Sequence, residues 1–138
     1  MTRPRRVAAS AVFVLLASCA GNPGPGEPGY PFNLSGDYTG EFTVDGMPIP
    51  AAMTLVTAAG GAVTGSFTVV QMGITGKVDG TLVGNQLAFR ATYFNPESSC
   101  NGTAESSATV GEGGATLSGP LTVNECGQIL SGSLSFRR

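Results

Sequence analysis

The sequence predicts an all-β fold, an eight-stranded antiparallel up-and-down β-barrel. Three observations carry that expectation: a recurring apolar–polar alternation, turn signals between its copies, and no helical period beyond the first residues. "YTGEFTV" (38–44), "VTGSFTV" (63–69), "ITGKVDGTL" (74–82), "LSGPLTV" (117–123) and "LSGSLSF" (130–136) each place an apolar residue, a glycine and then apolar residues at alternate positions. Period two gives a strand one dry and one wet face. "AAMTLVT" (51–57) and "QLAFRATY" (86–93) alternate without the glycine, and "CNGTAESSATV" (100–110) keeps only small residues inside. Asp45-Gly46, Gly60-Gly61, Met72-Gly73, Gly84-Asn85, Asn95-Pro96, Gly113-Gly114 and Cys126-Gly127 separate these runs as turns. Closure removes the two edges that an open sheet would leave exposed, and a two-sheet β-sandwich is the alternative.

Ahead of the strands, Arg3, Arg5 and Arg6 precede an apolar run over residues 7–17 that ends in "LASC" at 16–19. Eleven positions fall short of the roughly 20 that a membrane-spanning helix needs, and a basic start with a short apolar centre describes a secretory signal. "LASC" resembles the lipobox of bacterial lipoproteins. The resemblance implies a signal peptide over 1–18 and lipidation of Cys19 by acyl chains such as palmitate. It further implies a membrane partner reached through those chains. Localisation is then the bacterial cell envelope, with Ala20 after the cysteine pointing to the outer membrane, facing the periplasm or the cell surface. Two or three chains at about 0.8 kcal/mol per buried CH₂ anchor stably.

Residues 19–36 carry Pro23, Pro25, Pro28 and Pro31 among glycines. Such composition favours extended geometry at roughly 3.1 Å per residue, so the expectation is a tether between the lipid and a domain over 37–138. One core fits that length. Once the three signal arginines are set aside, Lys77, Arg90, Arg137 and Arg138 face nine acids, a side-chain balance of −5. Nucleic acid is therefore not an expected partner.

With Cys19 acylated, Cys100 and Cys126 remain for a disulfide in an exported setting. In an up-and-down barrel the loops after the fifth and seventh strands lie at one end, which brings these two cysteines together. No metal site or cofactor is expected, because the chain has no His and no CxxC.

Tyr38, Phe42, Phe67, Phe89, Tyr93 and Phe136 fall on the inner face and are the candidate ligand-lining residues. Gly40, Gly65, Gly76, Gly80, Gly119 and Gly132 share that face, with small Ala104, Ser106 and Ala108. Eight strands enclose either a packed core or room for one small ligand, and the balance of volumes here favours a filled interior.

"LSGDY" (34–38) followed by "GAVTGSF" (61–67) resembles the opening of avidin-type barrels, which implies a barrel of that size. Biotin binding does not follow, since the chain has no Trp to line such a pocket, and the lipocalin glycine–tryptophan signature is also missing.

Catalysis is not expected. Lys77 falls on an outer face, and Asp37, Glu41, Asp45, Asp79, Glu97, Glu105, Glu112 and Glu125 distribute over outer faces and turns, with no carboxylate pair in an apolar pocket. The function expected is a non-catalytic, membrane-anchored envelope lipoprotein, a structural module or one that docks an envelope protein. The alternative is a binding module for a small apolar ligand in a lipocalin-like barrel.

Overall fold

Alternation of apolar residues along the whole chain produces strands β1 (Ser35–Val44), β2 (Met47–Thr57), β3 (Ala62–Val69), β4 (Ile74–Val83), β5 (Gln86–Asn95), β6 (Cys100–Val110), β7 (Thr116–Glu125) and β8 (Gln128–Arg137) in a computed structural model that describes residues 21–138. Residues 1–18, expected to form a signal peptide, and Cys19 lie outside the described residues. Each strand pairs antiparallel with the next, and β1 pairs with β8 from Thr39↔Arg137 to Val44↔Gly132. The sheet is thus a closed up-and-down barrel rather than a sandwich. Asp45 and Gly46, at φ 50° and 76°, form one of the tight turns that right-handed strand twist prefers, and Cys126 and Gly127 form another at 52° and 76°.

The inward residues make one core. Its tightest part lies toward the end where β1 begins, where Leu34, Tyr38, Leu55, Val63, Leu87 and Leu117 have no exposed surface. Burying each leucine contributes about 1.5–3 kcal/mol. Several inward glycines stand where a neighbouring backbone crosses close: a Cβ on Gly40, Gly65 or Gly132 would run into the carbonyl of Ser135, Thr54 or Thr43. Inside β7, Pro120 lacks an N–H, and it sits in a gap in the β6–β7 pairing between Glu105↔Thr122 and Thr109↔Ser118. There the Ser106 hydroxyl donates to the Pro120 carbonyl at 2.5 Å.

The extended tether is corrected for residues 24–34, which fold across the end of the barrel where β1 begins. Proline geometry is overridden here by apolar side chains that need a home. Tyr30 and Phe32 pack against the core with their rings edge to face at 5.8 Å, and Leu34 is fully buried. Polar contacts fix the path. The Tyr30 hydroxyl donates to the Gly84 carbonyl at 2.5 Å, Gly60 N–H to Pro25 at 3.1 Å and Gly113 N–H to Pro31 at 2.8 Å. Asn33 ties the segment to itself, accepting from Gly26 N–H and donating to the Glu27 carbonyl. Arg138 closes the ring by donating to the carbonyls of Ser35 and Gly113.

Gly26 makes the docking possible. Its φ is +83°, and a Cβ would overlap the Ala58 carbonyl. Gly26→Ala is therefore expected to lower stability by at least about 1–2 kcal/mol, the left-handed backbone penalty alone, in a denaturant titration. An unchanged midpoint would mean that residues 24–34 do not dock in solution.

Candidate functional site

The opposite end of the barrel is hollow. A cavity of about 270 Å³ opens between the β1–β2, β3–β4, β5–β6 and β7–β8 connections. Its floor is an arc of aromatic rings, Phe42 meeting Phe67 at 5.7 Å and Phe67 meeting Tyr93 at 6.0 Å, and Phe136 backs Phe42 from behind at 5.1 Å, all edge to face. Such contacts each contribute about 0.5–1.5 kcal/mol beyond burial, so the floor is stiff. Small residues create the room above it, since Ala91 on β5 and Ala104 on β6 line the cavity where bulkier residues would close it. Val69, Ile74 and Met72 form one wall, and Val44, Ile49 and Leu130 form the rim opposite.

Phe42, Phe67 and Tyr93, three of the six aromatics expected to face a ligand, line this cavity. Tyr38, Phe89 and Phe136 do not. Tyr38 belongs to the closed end, where its hydroxyl donates to the Gly114 carbonyl at 2.6 Å. Phe89 and Phe136 are buried beneath the cavity or behind its aromatic floor. The expectation of a filled interior therefore holds for one half of the barrel and is corrected for the other. The volume is unevenly distributed along the axis, because β5 and β6 face in with the paired small residues Ala91 and Ala104 in the half nearer the mouth.

A second correction concerns the acids. Glu125 is not on an outer face: it continues the inward series Leu117, Leu121, Val123 on β7 and lines the cavity, as does Asp45 from the β1–β2 turn. The buried Asn95 donates through Nδ2 to both Glu125 oxygens at 3.2 Å, while its own Oδ1 accepts from Glu97 N–H at 3.0 Å. Ser98 donates to the same carboxylate at 3.3 Å. The Cys100–Cys126 disulfide, with Cα atoms 5.5 Å apart, pins the loop that carries Ser98 beside the residue that follows Glu125. A loop of 26 residues closed this way gains about 3 kcal/mol.

Tyr93 reaches this cluster because Gly102, its partner across the β5–β6 ladder, has no side chain. A Cβ on Gly102 would fall inside the Tyr93 ring. Gly76 gives Phe67 the same clearance. Neither Glu125 nor Gly102 was singled out by motif, yet both follow from parity: each stands an even number of positions from an inward residue on its own strand.

The mouth is also ringed by exposed apolar side chains. Met47 is 69 %, Val70 81 %, Phe94 51 % and Ile129 71 % exposed, and all four belong to strand ends or turns at this end. A larger depression, of about 730 Å³, lies on the outer wall near Asp79, Arg90 and Pro120, but it is a shallow, open surface. Among the described residues no group of three or more metal-ligating side chains comes together.

Burial pushes the Tyr93 phenol well above its ordinary value, reinforced by hydrogen bonding to Glu125 and by its negative charge. Burial likewise raises Tyr38, partly offset by the Arg138 guanidinium. Unfolding releases both phenols to ionise near their ordinary value of 10.0, so above that pH the unfolded chain binds fewer protons than the folded one and stability falls as pH rises. The expected result of an alkaline titration is a steady loss of denaturation free energy above about pH 10, smaller in Tyr93→Phe and Tyr38→Phe. A flat profile through that range would contradict the burial of these hydroxyls.

No family model matches the chain, and no curated protein matches it in sequence.

Proposed function

We propose that this protein is a non-catalytic envelope barrel that holds a small apolar molecule in its open half. The observation that carries the reading is the apolar cavity of about 270 Å³, floored by rigid aromatic rings and entered from one end. Binding sites of this kind are concave, mostly apolar and fixed by few polar groups. At about 30 Å³ per water-sized group the space takes roughly nine such groups, a short chain or a small ring system.

Substituting a bulky residue at the small wall tests the reading directly. Ala104→Phe is expected to weaken binding of a polarity-sensitive apolar dye at least about tenfold, measured by fluorescence titration, because the ring would occupy the space the dye needs. Equal binding by both proteins would locate the dye on the outer collar. That outcome favours a second reading, a docking module for an envelope protein, which the exposed Met47, Val70, Phe94 and Ile129 support.

The "LASC" resemblance supports membrane anchoring through acylated Cys19. Docking from Pro25 onward leaves only residues 20–24 between such an anchor and the closed end. The barrel would then stand on the bilayer by its closed end with its mouth turned away. Cys19→Ala is expected to shift the protein from the membrane fraction to the soluble fraction of lysed cells, and retention in the membrane would refute the anchor.

A further inference from the structure

Two charged side chains line the cavity, Glu125 from strand β7 and Asp45 from the β1–β2 turn, and both are acids. Among the described residues Glu125 is the only charged group at an inward strand position, and it lies at the level of the mouth with Tyr93 below it. We infer that the site selects amphiphiles with a cationic or strongly donating head, simple alkylamines being the minimal case, and discriminates against fatty acids and other anionic amphiphiles. The inference rests on the apolar-ligand reading and adds the chemistry of the head group to it.

Glu125 is held rather than free. Asn95 reaches both of its oxygens, Ser98 reaches one, and the adjacent disulfide fixes the backbone on either side of that cluster. A carboxylate offers about four lone-pair sites, and Asn95, Ser98 and the Tyr93 hydroxyl already draw on them, so what Glu125 presents to the cavity is chiefly its negative charge. Asp45 adds a second negative group at the same opening. Among the described residues no compensating cation faces them. Lys77, Arg90 and Arg137 point outward and are exposed, and Arg138 is engaged at the opposite end with the carbonyls of Ser35 and Gly113. An ammonium entering tail first would leave its head beside Glu125 and Asp45, in a partly desolvated site where a charge-assisted hydrogen bond is strong. A carboxylate head would meet like charge there and find no arginine or lysine.

Three probes of equal eight-carbon tail test this: octylamine, octanol and nonanoate, titrated calorimetrically into the full exported protein with its disulfide intact, at neutral pH and low ionic strength. Octylamine is expected to bind about tenfold or more tighter than octanol, and nonanoate weaker than octanol. Glu125→Gln is expected to erase the amine advantage while leaving octanol affinity within about twofold, and Asp45→Asn to reduce that advantage by less. The ranking on the unmodified protein decides the matter even if Glu125→Gln does not fold. Octanol binding with no amine advantage, or an advantage that survives Glu125→Gln, overturns the head-group inference and leaves the pocket standing. Failure of all three probes to bind overturns the pocket itself.

Discussion

Closing eight strands into a ring fixes the width of the interior, and everything else about this molecule follows from how side-chain volume is distributed along that fixed tube. Where leucines and valines face in from many strands at once, around Leu55, Val63, Leu87 and Leu117, the tube is solid. Where β5 and β6 face in with the paired Ala91 and Ala104, the same width becomes a cavity. No strand has to bend away or open for this. The hollow is a property of residue size at a few registered positions.

The two ends of the tube meet solvent differently. At one end the chain itself supplies a stopper, residues 24–34, whose apolar side chains fill the opening and whose backbone groups pair with the turns around it. At the other end the short turns cover nothing, and Met47, Val70, Phe94 and Ile129 remain in water. Leaving four large apolar side chains exposed around one opening forgoes the stabilisation that burial would give. A ligand or partner that covers them would recover it. The asymmetry between a stoppered end and an apolar mouth is what makes one end the site.

Strand number, order and closure were legible because period-two alternation survives in every strand and Gly- or Asn-containing turns punctuate them. The disulfide was legible because up-and-down topology dictates which loops share an end. The half-hollow interior was not. Counting inward aromatics against inward glycines treats the core as one volume, whereas Phe67 over Gly76 and Tyr93 over Gly102 show large and small residues paired across neighbouring strands, so that they cancel locally. The remaining deficit then collects near the mouth. The stopper was hidden for a different reason: four prolines dominate the composition of residues 20–36, while Tyr30, Phe32 and Leu34, the residues that dock, are few. Glu125 was hidden by habit, since a glutamate before a turn is ordinarily solvated.

That glutamate is the least expected residue of the interior and the most informative. Moving a carboxylate from water toward an apolar wall is unfavourable unless donors replace the lost hydration. Asn95 and Ser98 replace part of it, and Asn95 is itself buried, so two polar residues are committed to holding one charge in place. A glutamine or a methionine on the same rotamer would fill the position without that commitment. A charge that a fold holds inward with dedicated donors, at the opening of a largely apolar cavity, presents its negative field to whatever enters. The geometry therefore gives the cavity a direction, tail toward the aromatic floor and head toward the acids.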